Sequence, residues 1–244
     1  PEKELVYSFV YNNSLFLFLD TKDDLVGSDI ASWAVARLKK ANGNAHIRHI
    51  FVMVHHGPYS SGPHGSNEML HESGLAEAFG KYGVDVVFSG HDHLYERGVA
   101  DGFFYVITAG GGAPLYTPKK RLPQTRWIEM AFHYVRVMVS GDEVEVAALR
   151  TDGAVLDSFR YRKKFDAATA GPKYVVLKDQ HPPPPKKKVE PQTRREENRR
   201  EQGSAEGEPG GWEALTWRHG VAVAALVAFL LGVALVFTRL KKRR

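Results

Sequence analysis

The sequence contains no cysteine. That absence excludes a disulfide framework, a thiolate-bound zinc or iron–sulfur site and a thiol nucleophile. It also lacks a basic surplus in its body. Of 33 Lys and Arg residues, five stand among the last six positions, as Arg239, Lys241, Lys242, Arg243 and Arg244, and the remainder balances at 28 basic against 28 acidic. The pI near 9.3 is therefore a property of the tail, and no nucleic-acid binding is expected, because nothing in the body has charge to spare for phosphates. A Gly-x-Ser-x-Gly segment is missing too, so no signal for a Ser/His/Asp nucleophile is present. No methionine opens the chain. Pro1 leads directly into strand-like sequence, which reads as the continuation of a longer protein, and the lack of a visible signal peptide then carries no information.

What is there falls into successive regimes. Residues 1–178 carry alternating strand and helix patterns. Apolar runs at Leu15–Leu19, Ile50–Val54, Val84–Phe88 and Phe103–Ile107 are short and bounded by turn residues, as expected of strands buried on both faces. Between them, Ser28 or Asp29 can cap a helix carrying Ile30, Trp33, Ala34 and Leu38. Asn67 can cap another, carrying Leu70, Leu75, Ala78 and Phe79. Further on, Tyr134–Val139, Val144–Ala148 and Val155–Tyr161 alternate and are joined by Gly-Asp and Asp-Gly turns, the signature of antiparallel strands. Residues 179–219 carry four consecutive prolines, 182–185, and a Lys run near their start and continue in Arg, Glu, Gln and Gly. Such a segment has too little apolar surface to offset its ordering entropy and is expected to be a disordered linker with an interfacial flank.

Residues 220–238 form the next regime. Gly220–Phe237 is uncharged and apolar all round, long enough at ~1.5 Å per residue to span a bilayer core. Trp212 and Trp217 precede it and the basic tail 239–244 follows, so a transmembrane helix is expected, with a buried core helix as the alternative. The positive charge beyond the span places the tail in the cytoplasm and the folded domain outside it, provided an upstream signal exports the domain. Without one the span would be a tail anchor and the domain cytoplasmic.

Eleven histidines are present, and those of two segments lie just past apolar strands, where α/β folds put their chemistry. Ile50–Val54 ends in His55-His56, and Val84–Ser89 ends in Gly90-His91-Asp92-His93. Residues i and i+2 in extended chain project to one side, so His91 and His93 can serve two neighbouring metal ions.

The string Val52-Met-Val-His-His-Gly-Pro-Tyr-Ser-Ser-Gly62, then His64-Gly-Ser-Asn67, then Tyr82-Gly-Val-Asp-Val-Val-Phe-Ser-Gly-His-Asp-His-Leu-Tyr-Glu-Arg97, resembles the C-terminal half of calcineurin-like metallophosphoesterases of the purple-acid-phosphatase-like branch. The resemblance runs over about residues 5–162 and includes Phe16-Leu-Phe-Leu-Asp20 and Gly110-Gly-Gly-Ala-Pro114. It implies the second half of a four-layer α/β/β/α sandwich and hydrolysis of a phosphate ester at two metal ions, Fe, Zn or Mn. By the register of Tyr59, His55 and His91 would ligate one metal and His93 the other. His56 would take a variable slot, and Gly57 stands where the family usually has Pro. His64 would contact the substrate phosphate or leaving group, Tyr95, Glu96 and Arg97 would buttress the loop, and Asp92 is either a support or a solvated carboxylate. The family's earlier motifs, Asp-x-His, Gly-Asp-x-x-Asp or Tyr, and Gly-Asn-His, are absent. The chain alone is therefore expected to be inactive, the parent protein being the enzyme. A membrane-tethered binding module that kept the fold and lost the chemistry is the alternative.

Overall fold

The computed structural model describes residues 6–21, 25–164, 173–180 and 233–237. Strand β1 (Tyr7–Tyr11) turns tightly into β2 (Ser14–Leu19), whose six residues are all buried. Helix α1 (Asp29–Asn42) follows, capped by the Ser28 hydroxyl, which accepts the Ala31 N–H. Strand β3 (His49–Val54) leads to two short helices, α2 (Glu68–Glu72) and α3 (Leu75–Lys81). The sequence pattern predicts one helix here. Gly74 takes a left-handed φ of 74° and divides it, while Leu70, Leu75, Ala78 and Phe79 are all buried as their spacing requires.

Strands β4 (Val86–Ser89), β5 (Tyr95–Ala100), β6 (Phe103–Thr108) and β7 (Thr125–Glu129) complete a seven-stranded sheet of order β1-β2-β3-β4-β6-β5-β7. Within it β2, β3, β4 and β6 run parallel, and hairpin partners flank them. Strands β8 (His133–Ser140), β9 (Glu143–Arg150), β10 (Val155–Lys164) and β11 (Lys173–Gln180) form an antiparallel second sheet.

Side-chain alternation along each strand divides the core in two. Phe16, Phe18, Phe51, Phe88 and Phe104 face Val135, Val137, Val146, Phe159 and Tyr161 of the second sheet. Leu15, Leu17, Leu19, Ile50, Val52 and Val87 pack on the opposite face under Ala34, Leu38, Leu70 and Phe79 of the helices. Each such aliphatic or aromatic side chain contributes roughly 1.5–3 kcal/mol on burial. The described residues thus build three layers, helix on sheet on sheet. The fourth, helical layer of the expected sandwich is not among them.

Charged side chains bridge the two sheets at defined points. Arg97 donates to Asp157 (Nε to Oδ2, 2.7 Å) and to Asp179 (2.7 Å), and Tyr95 donates to the same Asp157 carboxylate at 2.7 Å. At the start of the parallel strands, Asp85 accepts from the Ile50 N–H and from Lys163, each at 2.7 Å, and lies 3.0 Å from His49 Nδ1.

The C-terminal regimes fall mostly outside the described residues, including the linker beyond Gln180, residues 220–232 and the tail. Val233–Phe237, however, are extended as β12 and pair in parallel with β8, Val233 opposite Val135 and Phe237 opposite Val139. This corrects the expected unbroken helix over Gly220–Phe237 at those five positions. A short run of Val, Ala, Leu and Phe suits a buried strand as well as a helix, and the edge of β8 offers it backbone hydrogen bonds. Among the described residues no helix is long and apolar enough to cross a membrane.

Candidate functional site

Because β2, β3 and β4 are parallel neighbours, their carboxyl ends bring Asp20, His55-His56 and the loop 90–94 to one edge of the sheet. The Gly90 N–H donates to the His55 carbonyl at 2.9 Å, holding the two histidine-bearing loops side by side. His91 sits at φ 66°. Among the described residues, the other two non-glycine residues with positive φ, Asn12 and Asp101, occupy hairpin turns, where that conformation is ordinary. At His91 no hairpin demands it, and backbone of this kind concentrates at functional sites.

Its consequence is a cluster of imidazoles. His55 Nε2 lies 3.2 Å from His91 Nδ1. The His56 and His64 rings approach that of His91 with centroids 4.5 and 4.3 Å away. Burial lowers the pKa of His91, and the neighbouring His56, His64 and His55 lower it further against the opposing pull of Asp92. Burial likewise lowers His55, reinforced by His56 and His93 and opposed by Asp20. Both shifts favour the neutral imidazole, the form whose lone pair can meet an electrophile.

His93 stands somewhat apart. Its Nδ1 is 2.9 Å from the Pro114 carbonyl, and its ring stacks on Tyr116 at 4.3 Å and 20°. The three histidines expected as ligands therefore lie at one sheet edge, two in direct contact and the third beside them. Among the described residues no three His, Asp or Glu side chains are gathered closely enough to hold a metal ion. His64 is exposed and overhangs the cluster, while His71 lies behind the loop, its Nε2 2.8 Å from the Pro58 carbonyl.

The loop 57–65 that carries His64 is fixed from beneath by carboxylates. Asp92 is 1% exposed, accepts the Ser60 hydroxyl and accepts the His64 N–H at 3.1 Å. It is a support, so the solvated alternative is excluded. Glu96 accepts the Ser61 N–H at 2.7 Å, the Ser61 hydroxyl at 2.8 Å and the Thr125 hydroxyl at 2.6 Å. Glu96 therefore buttresses the loop as expected, whereas Tyr95 and Arg97 face the other way and join the sheets. The close approach depends on two glycines. A Cβ at Gly62 would collide with the Asp92 carboxylate, and one at Gly57 would lie 2.8 Å from the Ser89 Cβ.

Sequence reasoning missed Tyr116 and Asp20 as members of the site. Asp20 ends the Phe16–Asp20 string, and its place at a strand's carboxyl end was a usable signal. Tyr116 follows a glycine-rich turn that carries no such signal.

No protein-family model matches the chain, and no curated protein matches it in sequence. In structure it is similar to a purple acid phosphatase, PPD1, from yellow lupin (Lupinus luteus) seeds, with a TM-score of 0.59 and 21% identity over 66% of this chain and 33% of that one. It is also similar to GAP50, described as the anchor in the inner membrane complex of Plasmodium, with a TM-score of 0.54 and 17% identity over 68% of this chain and 56% of that one. The chain spans about a third of the phosphatase and just over half of the anchor protein. These likenesses show the fold alone, one of the purple-acid-phosphatase kind over part of the chain.

Proposed function

Starting from a purple-acid-phosphatase-like fold, we propose that this chain supplies part of a metal-dependent phosphoesterase centre, with His55 and His91 on one metal ion and His93 on a second. The observation that carries the reading is the 3.2 Å separation of His55 Nε2 and His91 Nδ1. Two nitrogens each ~2.0–2.1 Å from one ion at a tetrahedral angle are about 3.3 Å apart, so the pair fits one edge of a coordination shell. His93 fits by a different criterion. Its Nδ1–H is directed to a backbone carbonyl, which leaves Nε2 as the ligating atom, the arrangement usual for metal-bound histidine.

Two ions of the Fe, Zn or Mn type would supply Lewis acidity toward the oxygens of a phosphate ester. The chain's own residues do the rest. Neutral imidazoles offer lone pairs, Asp92 and Glu96 hold the loop at its height, and His64 overhangs the cluster where it can donate to a phosphate oxygen or a leaving group. Three imidazoles without a bridging carboxylate do not neutralise two neighbouring dications, so the 244-residue chain alone is expected to bind metal weakly and to be inactive.

The test has two arms. Zn²⁺ or Mn²⁺ binding to the chain, followed by competition with a chelator, should be lost in His55→Ala and His91→Ala. Hydrolysis of p-nitrophenyl phosphate should require a longer form of the protein. Metal binding unchanged in both variants would overturn the ligand assignment, and turnover by the chain alone, abolished in His93→Ala, would overturn the claim of incompleteness.

A second reading, a non-catalytic tether on a phosphoesterase fold, is favoured by the absence of a three-donor group among the described residues and by the likeness to a protein described as an anchor. A longer form that binds no metal would decide for it. Membrane attachment through residues 220–237 belongs to either reading and requires β12 to leave the edge of β8. A single cysteine at Ser204 in this cysteine-free chain, labelled in intact cells by an impermeant maleimide, would put the linker and the domain outside the cytoplasm. Labelling only after lysis would put them inside.

A further inference from the structure

We infer that Tyr116 is a positioning residue for His93, locking its ring so that only Nε2 is presented to the site; the inference rests on the metal-centre reading above. Three contacts carry it, all from the segment that follows the glycine-rich turn. The Pro114 carbonyl lies 2.9 Å from His93 Nδ1 and so fixes the tautomer. The Tyr116 N–H donates to the His93 carbonyl at 2.8 Å, which fixes the backbone of one to the backbone of the other. The Tyr116 ring lies flat on the imidazole, 4.3 Å between centroids and 20° from parallel. A hydrogen bond to Nδ1 alone leaves the imidazole free to swing about that bond, and a ring against its face removes the swing.

The same tyrosine reaches the other side of the site. Its ring is 5.5 Å from that of His64, inclined at 57°. The chain beyond it is fastened to the loop beneath His64. Lys119 N–H donates to the Ser61 carbonyl at 2.8 Å, and Leu122 N–H to the Ser61 hydroxyl at 3.1 Å. Tyr116 is thus the wedge between the loop that carries His93 and the loop that carries His64. The contact that orients His93 is the flat aromatic face, so phenylalanine should replace tyrosine here and an aliphatic side chain should not.

The experiment uses the 244-residue chain with Zn²⁺ as the only probe. In long-range proton–nitrogen spectra of the metal-free protein, His93 should appear as the Nδ1–H tautomer. Tyr116→Phe should keep that tautomer and bind Zn²⁺ within about threefold of the parent. Tyr116→Leu should mix the tautomers and weaken binding by about 10–100-fold, the range found when an outer partner of a ligating histidine is removed, with an unchanged thermal midpoint in the metal-free state. His93→Ala separates the two levels of the argument. If it leaves Zn²⁺ binding unaltered, the metal-centre reading fails. If it weakens binding while Tyr116→Leu does not, the role of Tyr116 alone fails. Should Tyr116→Leu not fold, the tautomer in the parent protein and the behaviour of Tyr116→Phe still decide, an Nε2–H tautomer at His93 or a phenylalanine variant as weak as His93→Ala being the overturning results.

Discussion

His49 and His55 stand at the two ends of the same buried strand, and their surroundings differ in every respect that matters to chemistry. His49 is fully buried with both ring nitrogens engaged, Nδ1 3.0 Å from Asp85 and Nε2 2.9 Å from the Gly141 carbonyl. Burial by itself would raise the Asp85 carboxyl, but Lys163 and His49 outweigh it and hold the group below the ordinary carboxylate value. His55 is exposed, and its Nε2 meets another imidazole. A strand's amino end, closed by the turns of the second sheet, offers complete pairing. Its carboxyl end, where the chain leaves the sheet, sets His55 against a second imidazole instead of a carboxylate. The same residue type is structural at one end and a candidate ligand at the other for that reason.

The largest effect that would sharpen this contrast is expected at the closed end. Asp85→Ala removes the buried carboxylate that faces the Lys163 ammonium and His49 Nδ1 and should cost about 3–5 kcal/mol in urea unfolding. The Zn²⁺ affinity of the folded fraction should stay as it was. A loss under about 1 kcal/mol would break the contrast, since the paired end would then be no more structural than the open one.

His133 tests the idea that pairing decides the role. It is buried, its Nδ1 is 2.8 Å from the Ala131 carbonyl, and its Nε2 has no hydrogen-bond partner. Burial pushes its pKa down to about 4. The unfolded chain, with an ordinary imidazole near 6.5, therefore takes up the proton first on acidification. Stability should be full above about pH 6.5 and fall as pH drops toward 4, by on the order of 3 kcal/mol at most. His133→Gln should flatten that part of the profile, and an unchanged slope in its unfolding midpoint against pH would refute the assignment.

At the open end the change should be in binding and hardly in stability. His55→Ala and His91→Ala should each weaken Zn²⁺ by at least about a hundredfold, equivalent to about 2.7 kcal/mol, with thermal midpoints near that of the parent. His56→Ala should cost less than about threefold, because its Nε2 is already 2.9 Å from the Gly65 carbonyl. A larger loss in His56→Ala than in His55→Ala would reverse the ligand assignment. The smallest change in stability lies outside both ends. Ser28→Ala removes the cap of α1 and should cost about 1 kcal/mol, read from the urea midpoint, with no change in metal binding.

The parallel strands were legible because they are continuous apolar runs, and the caps at Ser28 and Asn67 because short hydroxyl and amide side chains stand just ahead of helical spacing. Strands β5 and β7 were not, since Glu96, Arg97 and Arg126 interrupt any apolar pattern. Glu96 and Arg97 are buried by partners far away in sequence, Ser61, Thr125, Asp157 and Asp179. In the site, the histidines at strand ends could be picked out one by one. That Asp92 is a buried support and Tyr116 a wall could not, because both follow from how two loops meet. At the C-terminal apolar run, length and hydropathy favour a span, and the pairing of five of its residues with the edge of β8 follows from a partner far away in sequence that no local pattern announces.

The contact between Gly57 and Ser89 carries a consequence for divergence among sequences of this fold. The proline that the resemblance leads one to expect at position 57 brings a Cβ, and that atom would lie 2.8 Å from the Cβ of Ser89. The two positions cannot drift independently. Lineages with Pro at 57 should carry Gly at 89, and those with Ser at 89 should keep Gly at 57. In this chain, Gly57→Pro should be poorly tolerated alone and rescued by Ser89→Gly, which removes both the Oγ and the Cβ that the new atom would meet, so the identity of one residue beside the histidines is recorded in the other.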